Sequence, residues 1–226
     1  PDFFRLMREF RKALPAMPFC LLTNGRTLSY PEIARKTLSI LGAPLCVAIP
    51  LHGRDARSHD SITRAPGSFG QTLEGLKNLF RWKTPEQEIE IRVILHKRSV
   101  RELEGLIAFL LAQFPDTRRY RLTLMHFEME GQAENNFESL RLSLTDCVAE
   151  LARSNGLLDQ FGEFRLYHFP LCVLPEGLRR HAWKTLPKKD VHYLRKCRSC
   201  ALKRNCMGVQ RWYCGRFGEA EICPQK

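Results

Sequence analysis

Three cysteines near the C-terminus, Cys197, Cys200 and Cys206, stand in the run Cys-Arg-Ser-Cys-Ala-Leu-Lys-Arg-Asn-Cys, a C-x2-C-x5-C spacing. A C-x2-C pair puts two thiolates on one tight turn, and a third, six residues on, completes most of a tetrahedral set. The fourth ligand must come from elsewhere. Cys172, in Phe169-Pro170-Leu171-Cys172-Val173-Leu174-Pro175, is the best candidate, with Cys214, Cys223 and His192 as substitutes. Four thiolates suit zinc or an iron–sulfur cluster, and spacing alone does not choose between them.

The charge around these thiols is lopsided. Residues 179–211 hold eleven lysines and arginines against one acid, Asp190, in a chain whose net charge is +12. Nucleic-acid binding, an acidic partner, compensation of an anionic cluster and a plain solvated face all fit that excess. If Arg195, Lys196, Arg198, Lys203 and Arg204 surround a metal centre, their charge is expected to lower the thiol pKa values. The nine cysteines are an odd number, and Cys20, Cys46, Cys147, Cys172 and Cys223 are scattered, which argues against a secreted disulfide framework and for a reducing cytoplasm. Cys20 and Cys46 lie in apolar runs and read as small buried hydrophobes. No apolar run is long enough to span a membrane, and there is no signal peptide. A start at Pro1 rather than Met reads as a fragment or trimmed chain.

The elements that must position such a site alternate. Helical spacing marks residues 3–14, and Phe19-Cys20-Leu21-Leu22 is a short strand ending in the turn Thr23-Asn24-Gly25. A helix opened by Pro31 follows, then the apolar run Leu45–Leu51, read as a strand covered on both faces. Phe69 to Phe80 is a helix, Ile89 to Leu95 a strand, and Val100 to Phe114 the clearest amphipathic helix. Residues 120–127 form a fourth strand, Leu140 to Leu151 a helix, and Phe164 to Phe169 a last strand. Such alternation predicts right-handed crossovers and parallel pairing. In such folds ligands sit at the C-terminal strand ends. Those ends carry Thr23-Asn24-Gly25, His52-Gly53, His96-Lys97 and Glu128 to Gly131. His126, Glu128 and Glu130 alternate and are expected to share one face. His59-Asp60 reads as the anchor at the start of a helix. Trp212 and Tyr213 read as packing around the cysteine centre rather than as base-stacking surfaces. The repeat stops near residue 160, which divides the chain into an α/β part, 1–160, and a Cys-rich extension, 161–226.

These residues, in order, resemble the radical S-adenosylmethionine (SAM) enzymes, most closely the maturase of the His-Xaa-Ser peptide-modification system. The resemblance rests on Leu22-Thr23-Asn24-Gly25-Arg26, Ile49-Pro50-Leu51, His59-Asp60-Ser61-Ile62, and Gly67-Ser68-Phe69 with Gln71-Thr72 and Gly75. It continues in Glu90 to His96, Leu124-Met125 with Glu128 and Gly131, Leu171-Cys172-Val173-Leu174, and the C-x2-C-x5-C-x-Gly tail. It implies a partial (βα)6 barrel. The family's C-x3-C-x2-C loop and Gly-Gly-Glu strand do not occur in this chain, so its first two barrel strands are expected to be missing, and the chain alone is expected not to cleave SAM. It further implies a SAM site near Thr23, Asn24, His52, His96 and Glu128, with a second 4Fe-4S cluster in the full-length protein. Pro50 and His52 replace the serine and aspartate of the common strand sequence, so the serine contact to SAM does not carry over. The tail resembles an auxiliary-cluster domain with Cys172, Cys197, Cys200 and Cys206 as ligands of a 4Fe-4S cluster. The implied partners are a ribosomally synthesised peptide substrate and a partner maturase, with no membrane. The alternative is a zinc-containing, basic nucleic-acid-binding module; the lack of a second paired C-x2-C counts against it.

Overall fold

The structure, a computed structural model, describes residues 2–226. Pro1 lies outside them. In chain order the elements are α1 (Phe3–Ala13), β1 (Phe19–Leu22), α2 (Pro31–Leu41), β2 (Leu45–Pro50), α3 (Ala56–Thr63), α4 (Ser68–Trp82), β3 (Gln87–Leu95), α5 (Leu103–Gln113) and β4 (Arg121–His126). Then come the short turns of helix α6 (Gln132–Asn135) and α7 (Phe137–Leu140), followed by α8 (Leu144–Arg153), α9 (Asn155–Leu158) and β5 (Phe164–Tyr167). The last part holds α10 (Glu176–Arg179), β6 (Ala182–Trp183), β7 (Val191–His192), β8 (Val209–Gln210) and α11 (Arg211–Phe217). The chain is α/β. Strands β1 to β6 lie in sequence order in one parallel sheet, and β7 and β8 form a separate antiparallel pair. Parallel neighbours in sequence order, joined by helices, are the arrangement of a partial α/β barrel.

The chain divides into two compact units. One runs up to Val93 and includes Phe109–Leu122; the other holds Ile94–Ala108 and Thr123–Lys226. In the first unit β1 pairs with β2 and β2 with β3, the register placing Cys20 beside Cys46 and Cys46 beside Glu88. Alternation sends Val47, Ile49, Ile89, Ile91 and Val93 to one face, where all are buried. The other face carries Cys20, Cys46, Glu88, Glu90 and Arg92. The run 45–50 is therefore not a strand with two apolar faces. Its second face meets a polar network, and Cys46 and Pro50 there stay half-exposed.

Local sequence explains how the helices begin. Pro31 occupies the first turn of α2, where its missing N–H costs nothing. Gln87 closes the other end by donating to the carbonyls of Leu38 and Gly42, both at 2.8 Å. Asp55 caps α3 in a reciprocal box with Ser58. His59 and Asp60 lie inside α3 rather than before it. Asp60 still anchors a helix start, that of α4: its carboxylate accepts from Gly67 N (2.7 Å), Phe69 N (2.8 Å) and Ser68 Oγ (2.8 Å). Burial, the largest single effect, pushes the Asp60 carboxyl up, but the three bonds together outweigh it and hold Asp60 below the ordinary aspartate pKa.

In the second unit β5 pairs with β6, two residues long and placed within the stretch expected to be extension. Leu144 to Leu151 is helical as expected, with Ser143 as its cap, whereas Leu140 closes the separate turn α7. No helix among the described residues is long and apolar enough to cross a membrane.

Candidate functional site

Cys172, Cys197, Cys200 and Cys206 all line one small pocket in the second unit. Cys214, Cys223 and His192 do not line it. Its remaining wall is largely apolar: Pro170, Leu202, Val209, Ile222 and Pro224. All nine cysteines are free thiols. Cys172 arrives on a short 3-10 turn, Leu171–Val173, and Cys197 and Cys200 on another, Arg195–Ser199 with Cys200 as its cap. The β7–β8 pair closes the wall beside Cys206.

Backbone N–H groups point at the sulfurs. Leu171 N and Gly208 N each donate to Cys206 Sγ at 3.4 Å, and Cys223 N–H donates to Cys172 Sγ. Such donors stabilise negative charge on sulfur and tune cluster potential. Tyr193 Oη holds the turn by donating to Cys206 O at 2.7 Å. Among the described residues no three or more His, Cys, Asp or Glu side chains are grouped to hold a metal ion. The expectation that the basic run lowers the thiol pKa values fails at Cys172. Burial comes first, with the neighbouring thiols adding to it, and pushes it up to about 11. The basic side chains named for this role, Arg195, Lys196, Arg198, Lys203 and Arg204, are exposed, where water screens them.

Gly208 has φ +89° and its missing Cβ would lie 2.7 Å from His192 O. Gly208→Ala is therefore expected to cost about 1–3 kcal/mol and to turn the Gly208 N–H away from Cys206. Thermal unfolding and metal retention read the two effects.

At the strand ends of the first unit, Thr23 Oγ1 accepts from Gly25 N (3.3 Å) and Asn24 Oδ1 from Arg26 N (3.1 Å). Both side chains thus build the turn itself. Gly25 has φ +74°, and a Cβ on Gly75 of α4 would meet Gly25 O at 2.4 Å, so this turn is clamped against a glycine. His52 is half-buried. Its N–H donates to Nδ1 of the buried His59 at 3.1 Å, and burial lowers the His59 pKa, which keeps that nitrogen an acceptor.

In the second unit His96 is buried. Arg98 N donates to its Nδ1 at 3.2 Å, and burial, with the Arg98 charge adding to it, lowers its pKa to about 4. The ring is neutral at pH 7 and carries its proton on Nε2. Glu128 and Glu130 lie beyond β4, not on it: His126 is fully buried, Glu128 half-buried and Glu130 exposed, so the three do not form one strand face.

The structure adds a residue that sequence reasoning passed over. His168, just past β5, is buried and has φ +72°, rare for a non-glycine residue. Its Nδ1 lies 2.9 Å from His126 O, and its Nε2 3.0 Å from Glu128 Oε1. A carbonyl only accepts, so Nδ1 carries a hydrogen, and the contact to Glu128 must hold one further shared proton. Burial raises the Glu128 pKa, and the charges of Glu130 and Asp190 raise it further. Glu130→Gln is expected to return the Glu128 titration part of the way to the ordinary glutamate value, as followed by carboxyl carbon NMR. No change would leave burial as its whole cause. The only sequence signal for His168 was a histidine closing a strand.

Trp212 stacks on His126 at 6.3 Å, and buried Tyr213 accepts from Leu144 N at 2.7 Å and donates to Glu221. Both rings are committed to the second unit's packing.

No family model matches the chain. A stretch of 103 residues, 46% of the chain, is 34% identical to an AdoMet-dependent heme synthase of Methanosarcina barkeri (strain Fusaro / DSM 804). The match spans 27% of that relative, about a quarter of its length. This similarity, together with the parallel α/β sheet, is in keeping with the resemblance to the radical SAM enzymes drawn from the sequence.

Proposed function

We propose that this chain is part of a radical SAM peptide-modifying enzyme, a maturase, and that it carries an auxiliary 4Fe-4S cluster on Cys172, Cys197, Cys200 and Cys206. The observation that carries the reading is the convergence of these four free thiols on one apolar pocket with N–H donors to sulfur. A single zinc ion with Zn–S bonds of ~2.3 Å needs its thiolates packed tightly around one point. A 4Fe-4S cluster takes four thiolates as well, and the metal content of the reconstituted chain decides between the two. In this reading residues 1–160 supply the barrel and 161–226 the cluster-bearing extension.

When bound, SAM and its own cluster supply the 5′-deoxyadenosyl radical that abstracts a substrate hydrogen. The chain's residues do the rest. Thr23, Asn24 and His52 in the first unit, and neutral His96 and Glu128 in the second, each offer fixed polar groups at strand ends. The Glu128–His168 pair holds a proton where one must be delivered or removed. The substrate is a ribosomally synthesised peptide, a partner maturase takes part, and the setting is a reducing cytoplasm, in keeping with nine free thiols.

Anaerobic reconstitution tests this reading. Expected are about four iron atoms per chain and absorption near ~400 nm. Stoichiometric zinc without iron would replace it with the basic nucleic-acid-binding module. Because the chain contains no C-x3-C-x2-C, the reconstituted chain alone is expected to release no 5′-deoxyadenosine from SAM. Its detection by chromatography would overturn that expectation.

A further inference from the structure

The first unit contains a second group of thiols, remote in sequence from the pocket. Cys20 was expected to be a buried hydrophobe but is exposed, and Cys46 is only half-buried. The reason is the strand alternation: Leu21 and Val47 point to the apolar face, which turns Cys20 and Cys46 together onto the polar one. The two are directly opposed in the parallel register of β1 and β2. Adjacent strands lie about 4.8 Å apart, within the roughly 4.4–6.8 Å between Cα atoms that a disulfide tolerates.

Cys46 is also embedded in charge. Arg121 Nη2 donates to its Sγ at 3.5 Å, and the Sγ lies 3.9 Å from Glu90 Oε2. Small hydrophobic packing needs neither contact. We infer that Cys20 and Cys46 form a redox-active dithiol that exchanges with small disulfides of the oxidised-glutathione class.

The atoms balance as follows. The exposed Cys20 thiolate attacks one sulfur of the small disulfide, forming a mixed disulfide and expelling one thiolate. Cys46 gives up its proton to the thiolate just expelled, and Arg121 stabilises the charge left on sulfur. It then attacks Cys20 Sγ and expels the second thiolate. One small disulfide is reduced to two thiols, and two protein thiols are oxidised to one disulfide.

The division of labour is built in. A hydrogen bond from the Cys46 thiol is the main cause lowering the Cys20 pKa to about 7, and the charges of Arg92 and Arg121 help against burial and Glu90. The same bond, with burial, raises Cys46, so it stays protonated until Cys20 has reacted. The product ties β1, an end strand of the sheet order, to β2. This inference is independent of the cluster reading.

The 226-residue chain is incubated anaerobically at about pH 7.5 with oxidised glutathione, quenched in acid and mapped by non-reducing peptide mass spectrometry. A peptide linking Cys20 to Cys46 is expected, with two free thiols lost from the first unit. Cys46→Ser is expected to stop at a stable glutathione adduct on Cys20, and Cys20→Ser to give neither adduct on Cys46 nor linkage. Circular dichroism of each variant controls for folding. A wild-type chain that leaves Cys20 reduced, or accumulates its adduct without the Cys20–Cys46 linkage, overturns the inference. So does equal linkage in the urea-unfolded chain, because the folded register would then confer nothing.

Discussion

Replacing Cys172 by serine is expected to cut the iron retained after reconstitution from about four atoms per chain to less than half of that. Cys172 is the one pocket cysteine outside the C-x2-C-x5-C run, so no neighbouring thiol on its own turn can replace it. A serine oxygen is a poor ligand for iron, and the half-buried position gives little room for water to compensate. Cys223 supplies the sharpest control. Its thiol is exposed and lines no part of the pocket, but its backbone N–H bonds to Cys172 Sγ. Cys223→Ser preserves that N–H and is expected to keep full iron. Iron that follows Cys223 or Cys214 instead of Cys172 would reassign the fourth ligand. Ferrozine assay and absorption near ~400 nm report the outcome.

Replacing Arg121 by methionine is expected to destabilise the first unit by about 3–5 kcal/mol, the usual cost of stranding a buried charge. Glu90 is only 1% exposed. Its carboxylate meets Arg121 Nη2 at 2.7 Å, Arg121 Nε at 3.2 Å, and Arg92 Nε on its other oxygen, while Arg121 Nη1 reaches Glu88 at 2.9 Å. Arg121→Lys loses the planar fork and is expected to cost most of the same amount. Glu90→Gln combined with Arg121→Met is expected to be less damaging than Arg121→Met alone, because the buried carboxylate is then gone and the charges that remain, Arg92 and Glu88, are more exposed. Equal losses in the single and double variants would mean that Arg121 acts through packing.

The same network sets a pH dependence. Burial pushes the Glu90 carboxyl up, but the bonds from Arg121 and the charge of Arg92 outweigh it, so its folded pKa lies below the ordinary 4.5. A carboxyl depressed on folding contributes stability that is fully present above its unfolded pKa. That stability is lost as pH falls through the folded value. Urea midpoints are therefore expected to drop below about pH 4.5, and the drop to be smaller in the double variant.

Much of the scaffold was legible because it repeats. Strands of four to nine residues with period two, separated by amphipathic helices, announce a parallel α/β sheet whatever the side chains do. The strands β1 to β4 lie within a residue or two of where the apolar runs placed them. The cysteine spacing was legible because three ligating cysteines sit close in sequence, two of them on one turn. By contrast, β6, β7 and β8 have two residues each, too few to show any period.

Which face a strand residue meets was not in the sequence. Cys20 and Cys46 stand in apolar runs, and only pairing revealed that they share the open, charged face with Glu90. Arg121 bonds partners 31, 33 and 75 residues away, and no local pattern encodes such distances. Glu128 and His168 are likewise 40 positions apart and meet only because successive parallel strands end at the same edge. The sequence by itself determined the periodic elements and the residue types at their ends. The tertiary structure decided which of those residues touch, because contact depends on register and burial that only the paired strands define.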